Sequence, residues 1–121
     1  MSEQLRAELR KASSAGGPAA SDADIALGTG APLRRLESAM RALAEHRGPD
    51  GSTCPSDAAR AVGGDTWREL MDDARDIARR LAKAGELTVT QGDRVLDPDL
   101  PWRGPVRLRA ADPGGRTDDA R

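Results

Sequence analysis

Residues 67–84 carry the clearest helical pattern in this sequence and constrain the fold more than any other stretch. The apolar side chains recur at steps of three and four residues: Trp67, Leu70, Met71, Ala74, Ile77, Ala78 and Leu81. This spacing places them in one stripe along a helix, and so long an apolar stripe must be buried against other elements. Asp65 or Thr66 is the expected cap, and Gly85 predicts the end of the helix.

Two more helices are predicted before it. Pro32 suits a first helical turn, and the helix it begins is stopped by Gly48 and the proline that follows. Its apolar stripe consists of Leu33, Leu36, Met40 and Leu43. A second, short helix, capped by Thr53 or Ser56, is expected to run up to the glycine pair at 63–64.

Strand patterns follow the helices. In "LTVTQGDRVLD", residues 87–97, apolar and polar side chains alternate, and the Gly92-Asp93 pair fits a tight hairpin turn. In "PVRLRA", residues 105–110, a similar alternation predicts a short third strand. Three helices followed by a hairpin is the winged-helix order. We therefore predict a winged-helix-like α+β domain over residues 32–110.

The two ends of the chain have few large apolar side chains with which to build a core. The sequence has 121 residues with no Phe or Tyr and two Trp, and its apolar share of 37% depends heavily on alanine. Residues 2–11 can form a short helix whose only large apolar side chains are Leu5 and Leu9. Residues 12–31 are rich in Ala, Ser and Gly, which predicts a linker. We expect a flexible N-terminal extension over residues 1–31 and a disordered tail over 111–121.

Charge and cysteine content exclude several classes of protein. The 19 basic and 20 acidic side chains nearly cancel, so there is no global attraction to nucleic acid or to an anionic membrane. One cysteine excludes an internal disulfide. The N-terminal sequence lacks the apolar run of a signal peptide or a membrane span. A cytoplasmic location is the expectation.

Four separated blocks resemble a family of small bacterial proteins with the domain of unknown function numbered 3253. They are "CPSDAAR" (54–60), "WRELM" (67–71), "AKAGELTVTQGDRV" (82–95) and "GPVRLR" (104–109). The resemblance covers residues 33–109 and implies a winged-helix fold. It carries no catalytic residue and no cofactor, because the family has no established activity.

Few residues suggest catalysis. Cys54 precedes a helix start, where the helix dipole can lower a thiol pKa, and His46 lies close enough in sequence to serve as a base. A small packed side chain is the simpler interpretation of Cys54. One His and one Cys do not complete a metal site, and the acids at 72, 73 and 76 fit helical ion pairs such as Arg68 with Asp72 and Asp76 with Arg80. We predict a protein that is not an enzyme and has no metal or cofactor.

Two binding functions remain open. If the domain binds double-stranded DNA, the contacts should come from arginines late in the third helix and on the strands, with Arg68 or Arg75 as base readers. The candidate nucleic-acid-binding residues are Arg68, Arg75, Arg79, Arg80, Arg94, Arg107 and Arg109. From residue 54 to 110, ten basic side chains meet ten acidic ones, which is unlike a DNA-binding surface. A protein-interaction module without DNA contact is the alternative, favoured if an apolar patch surrounds Trp102.

Two structural roles can also be expected. Trp67 begins the apolar stripe of the third helix, so it should anchor the second and third helices to the wing. Arg60 sits one helical turn from Asp57, and we expect it to be half-buried and paired with a carboxylate or carbonyl group.

Overall fold

The computed structural model describes residues 2–48 and 51–111, and within them the chain is an α+β protein. The helices are α1 (Ser2–Ala15), α2 (Pro18–Leu27), α3 (Pro32–Arg47), α4 (Pro55–Gly63) and α5 (Met71–Lys83), with a 3₁₀ helix at Gly64–Leu70. The strands are β1 (Leu87–Gln91), β2 (Arg94–Val95) and β3 (Arg107–Ala110). The predicted α+β class, hairpin and third strand are confirmed.

The strands form one antiparallel sheet in the order β2-β1-β3. Leu87 and Val89 of β1 are buried on the side that faces the helices, and Leu108 of β3 lies opposite Val89. Gly92 has φ +62° in the turn between β1 and β2, a conformation that glycine adopts without strain. The loop before α4 extends the sheet, because Thr53 and Leu108 exchange backbone hydrogen bonds of 2.8 and 2.7 Å.

The third predicted helix is divided into two parts. Residues Gly64–Leu70 form the 3₁₀ helix, in which Thr66 leaves helical geometry, and α5 begins only at Met71. Leu70 packs onto the preceding turn so closely that a Cβ at Gly63 would lie 2.8 Å from its Cδ1. The later stripe is buried as predicted, at Ala74, Ile77, Ala78 and Leu81.

α3 begins and ends where the sequence predicts, between Pro32 and Gly48. Its stripe is buried from Leu36 onward, and Leu36, Met40 and Leu43 are among the largest fully buried side chains. Leu33 differs, since 52% of it is exposed where it borders an open cleft between α2 and α3.

The N-terminal segment is folded, so the prediction of a linker at residues 12–31 is wrong over α2 and the end of α1. The buried side chains of these two helices are Leu5, Leu9, Ala12, Ala19, Ala23 and Ala26. Alanine offers little apolar area, but it lets helix backbones approach closely, and α2 uses this to pack against α3. The predicted disordered tail lies, from residue 112 onward, outside the described residues.

Within the described ranges, no helix combines the length and the apolar character needed to cross a bilayer.

Candidate functional site

Arg79 of α5 binds the segment between β2 and β3. This segment, residues 97–105, is called the connector below. Arg79 Nη1 donates to the carbonyl oxygen of Leu100 at 2.8 Å and to that of Pro98. Its guanidinium carbon lies 4.1 Å from the ring centroid of Trp102. The cation–π contact and the two carbonyl bonds hold Arg79 toward the protein rather than toward a ligand.

Arg75 and Gln91 hold the far end of the connector. Arg75 lies one turn before Arg79 on α5, and its guanidinium reaches the carbonyl oxygens of Trp102 and Gly104 at 3.4 Å, which makes these weak bonds. Gln91, at the end of β1, donates from Nε2 to the carbonyl oxygen of Pro105 at 3.0 Å. The connector has no regular secondary structure, so side chains rather than a backbone ladder hold it.

Arg107 and Arg109 of β3 bind the loop before α4. Arg107 Nε donates to the Ser52 hydroxyl at 2.8 Å, and its Nη2 donates to the Ser52 carbonyl at 3.0 Å. Arg109 Nη1 reaches the carbonyl oxygen of Gly51 at 3.3 Å. These bonds reinforce the backbone bridge between this loop and β3.

Arg80 pairs with an element other than its own helix. Its Nη2 lies 2.6 Å from the Glu37 carboxylate of α3, in place of the predicted partner Asp76. Within the described residues neither Asp72 nor Asp76 forms an ion pair, so the predicted helical pairs of Arg68 and Arg80 are wrong. The contact between α3 and α5 makes Glu37 the nearer partner of Arg80.

Arg94 is exposed and lies on the opposite face of the sheet from Arg107. Thr90 is paired with both Val95 and Arg107, so these three share one face, and Arg94 precedes Val95 by one residue. In the part of the chain that the structure describes, Arg94 has no side-chain hydrogen bond or ion pair. The structure therefore does not bring the predicted arginines to one face.

Arg60 and Arg68 both stack on Trp67. Their guanidinium carbons lie 4.4 Å and 4.6 Å from the centroid of this ring. Trp67 is half-buried against the core, which agrees with a packing role but leaves part of the ring at the surface. Arg60 is half-buried as expected, but across residues 2–48 and 51–111 neither arginine has a carboxylate or carbonyl partner. The expected pairing of Arg60 is therefore wrong.

Carboxylates dominate the solvent-exposed side of the 3₁₀ helix and the start of α5. They are Asp65, Glu69, Asp72, Asp73 and Asp76, and none of them forms an ion pair within the described residues. In a helix–turn–helix, this is the surface that would approach the DNA phosphates. Its negative charge opposes that approach.

Large apolar side chains are exposed on the hairpin and on the connector. Val95 is 71% exposed and Leu100 is 58% exposed. Val95 lines an open cleft of about 350 Å³, called the hairpin cleft below. Its apolar lining includes Ala82, Leu87, Val89, Val95, Leu96 and Pro98.

Cys54 lies beside a hydroxyl group rather than a base. Its Sγ is 3.0 Å from the Ser56 Oγ, and His46 is exposed at the end of α3. A thiol needs a base to act as a nucleophile, and among the described residues the side chain that contacts this thiol is the Ser56 hydroxyl. Within the described ranges, no three His, Cys, Asp or Glu side chains come together as a metal site would require.

Sequence reasoning missed an ion-pair cluster centred on Arg47. This arginine makes two bonds to Glu8 of α1, at 2.7 and 2.8 Å, and a third to Asp57 of α4 at 3.0 Å. Thr53 Oγ1 also donates to Asp57, at 2.8 Å. Hydrogen bonding to Arg47 lowers the pKa of Glu8, and the same bond raises the pKa of Arg47. Glu8 and Arg47 are 39 residues apart, and no local pattern joins them.

The fold and these surfaces define a small α+β protein in which a helical layer backs a three-stranded antiparallel sheet. Most of the arginines that the structure describes bond to other parts of the chain. The chain belongs to the family described as protein of unknown function DUF3253, which matches residues 33–111. No curated protein matches the chain. The matched region begins at α3, so α1 and α2 lie outside it.

Proposed function

We propose that this chain is a winged-helix-like module without catalytic activity that binds another protein. Support for the fold comes from the order of its elements, in which α3, α4 and α5 precede a hairpin and a further strand. The bridge between Thr53 and Leu108 adds support, because it ties the loop between the first two of these helices to the sheet. The resulting unit presents a helix–turn–helix and a wing.

The hairpin cleft, with the exposed apolar side chains around it, is the main reason to propose a protein partner. Large apolar side chains that are exposed to water, as Val95 is on the hairpin and Leu100 on the connector, are typical of interaction surfaces. Burial of such side chains on association contributes favourable free energy. The fixed connector gives the surface a defined shape, because Arg79 and Gln91 hold it on both sides.

The contacts of the arginines also favour a protein partner over DNA. Arg75, Arg79, Arg107 and Arg109 donate to carbonyl oxygens of the chain itself, and Arg80 pairs with Glu37. A guanidinium held in this way has fewer donors left for phosphate. The carboxylates of α5, which have no ion pair within the described part of the chain, add repulsion toward DNA.

A capture experiment tests the proposal. The full chain and a Val95→Glu, Leu100→Glu double variant are used to capture partners from a lysate of the source cells. A protein captured by the parent should be lost with the double variant, because the new charges must be desolvated on binding. Leu33→Glu is the matched control, since Leu33 is equally apolar and exposed but lies on α3. Equal capture by all three proteins would contradict the proposal.

Duplex DNA is the second candidate partner, supported by Arg68 and Arg94, which have no hydrogen-bond acceptor among the described residues. Replacing Arg68 and Arg94 by Gln should weaken binding to a random duplex and lower the salt slope by about 1 to 2. Arg68 is then the best-placed base reader, because Arg75 is engaged with the connector. Undetectable binding of the parent at low salt would remove this candidate.

A further inference from the structure

The backbone groups of Leu87 point toward the β2 side of β1 and away from β3. In an antiparallel ladder, the N–H and C=O groups of successive residues point alternately to the two sides of a strand. The Ala111 N–H donates to the carbonyl oxygen of Glu86, so the backbone of Glu86 faces the β3 side. Leu87 and Val89 therefore face the β2 side, where Val89 accepts a hydrogen bond of 2.8 Å from the Leu96 N–H.

Strand β2 ends too early to pair with Leu87. Extending the register of β1 and β2 places Pro98 opposite Leu87, and a proline has no N–H to donate. The Pro98 carbonyl oxygen accepts from Arg79 of α5 instead. Across residues 2–48 and 51–111, the N–H and the carbonyl oxygen of Leu87 have no hydrogen-bond partner, although Leu87 is only 4% exposed. Unpaired backbone groups at a buried residue cost free energy, which a bound strand would recover.

The hairpin cleft lies along this open edge of β1, because its lining comes from both faces of the sheet. Leu87 and Leu96 lie on the face toward the helices, whereas Thr88 and Val95 lie on the other face. A cleft of about 350 Å³ at this position has room for part of an extended chain. The side chains of such a chain would alternate between the two faces, as in any strand.

The charges around the hairpin cleft balance. Three charged residues adjacent to its lining in sequence are already paired, Lys83 with Asp99 at 3.2 Å and Glu86 with Arg41 at 2.6 Å. Within the described part of the chain, the two other charged neighbours of the lining have opposite signs: Arg94 and Asp97. Charge complementarity therefore favours a neutral, apolar segment over an acidic or a basic one.

We propose that the hairpin cleft binds a short, neutral, extended segment of the protein partner, which adds to the sheet beside β1 and bonds to the backbone of Leu87. One large apolar side chain of this segment lies between Ala82 and Leu96. The proposal rests on the protein-binding function above and adds the conformation and chemistry of the bound segment. Residues 112–121 of the chain itself follow the cleft lining, but they contain no Leu, Ile, Val, Met or aromatic residue to fill it. Strand addition at a free sheet edge is an established mode of peptide recognition.

Amide hydrogen exchange of the full chain, followed by NMR spectroscopy, tests the backbone bonds directly. In the free chain, the Leu87 amide should exchange faster than the Thr88 amide, which the register pairs with β3. The probe is the peptide acetyl-Thr-Thr-Ile-Thr-Thr-amide, which is neutral and consists of residues that favour strands. At a peptide concentration that leaves about one chain in five free, exchange at Leu87 should slow about fivefold.

Two comparisons separate strand addition from a simple apolar contact. The same peptide N-methylated at Ile keeps its side chain but loses the central N–H donor, so it should bind about tenfold more weakly. Ala82→Leu adds volume to the cleft and should weaken binding of the unmodified peptide by about the same factor. Ala84→Leu is the matched control, since Ala84 is exposed directly after α5 and outside the cleft lining. Thermal unfolding verifies that each variant is folded.

The proposal is overturned if the parent chain does not bind the peptide at millimolar concentration, or if the N-methylated peptide binds equally well. Tighter peptide binding after deletion of residues 112–121 would assign the cleft to the end of the chain itself. In the capture experiment, Ala82→Leu should lose the partner as Val95→Glu, Leu100→Glu does. A partner lost only with the double variant would overturn strand addition and leave the protein-binding function standing.

Discussion

Glu8 and Arg47 meet through two parallel hydrogen bonds, with Nη2 2.7 Å from Oε1 and Nε 2.8 Å from Oε2. This two-pronged arrangement fixes both the position and the plane of the guanidinium. Because Arg47 also binds Asp57, it connects α1, α3 and α4 at one point. A helix outside the family match is thereby joined to the core of the matched domain.

Glu8→Gln should lower the free energy of unfolding by about 1 to 2 kcal/mol, because a neutral amide loses the charge-assisted bonds to Arg47. Chemical denaturation at neutral pH measures the effect. Glu45→Gln on the exposed side of α3 is the control, since Glu45 has no ion pair within the described residues. Equal stability of Glu8→Gln and the parent would mean that the cluster contributes nothing net.

The same pair predicts how stability responds to acid. The folded-state pKa of Glu8 lies below its ordinary value of 4.5, so the stabilisation is complete above that pH and is lost as the pH falls through the folded pKa. The free-energy difference between the parent and Glu8→Gln should therefore shrink as the solution becomes more acidic than pH 4.5. Denaturant titrations over this range provide the test, and a difference that grows toward acid would contradict it.

Removal of residues 1–31 should destabilise the domain by about 3 kcal/mol or more. Leu5 and Leu9 are buried, and each such side chain contributes about 1.5 to 3 kcal/mol. The truncation also leaves Arg47 without Glu8. Thermal unfolding of residues 32–121 beside the full chain measures the loss. An unchanged transition would support the flexible extension that the sequence suggests.

Arg79→Gln should release the connector and cost about 1 to 2 kcal/mol, because it removes the stacking on Trp102 and the bonds to two carbonyl groups. Limited proteolysis should then cleave within residues 97–105 faster than in the parent. Arg103→Gln, on the connector itself, removes the same charge without these bonds. If both variants are cleaved alike, charge rather than the Arg79 contacts protects the segment.

Trp67→Ala should cost about 2 to 3 kcal/mol, less than a fully buried tryptophan, because part of the ring faces solvent. Trp67→Phe should cost less than half as much, since it keeps most of the packed area. Trp67→Ala should also lose the stacking that orders Arg60 and Arg68, whereas Trp67→Phe should only weaken it. Denaturation curves for the two replacements give the comparison, and equal costs would contradict a packing role.

Local patterns were sufficient for α3 and the sheet, and insufficient for the start of α5 and for the N-terminal helices. α3 and the β1–β2 hairpin follow from apolar spacing and from glycine and proline at their ends. α2 contains Ile25 and Leu27 as its only large apolar residues, so its stability depends on contacts with α3 that no sequence window contains. The helix propensity of its alanines is too weak to stabilise a ten-residue helix alone, so α2 needs a helix packed beside it.

The candidate site shows the same division. Exposure of Arg94 and the acidic character of α5 could be expected from the sequence, because both follow from strand and helix periodicity. The partners of Arg79 and Arg107 could not, since the atoms they bind are backbone carbonyls and a serine far away in sequence. Every residue carries a backbone carbonyl group, so the amino-acid sequence does not show which of them will accept a hydrogen bond.

At the alanine-lined contact between α2 and α3, small buried residues should tolerate substitution less well than a large exposed one. Ala23 and Ala26 are almost completely buried, so each added methylene group must displace packed neighbours, whereas a change at the half-exposed Leu33 should cost less. Selection should therefore act most strongly on these alanines, although their hydropathy is only moderate. In a library of random variants, the positions that inactivate the fold would cluster at these small side chains.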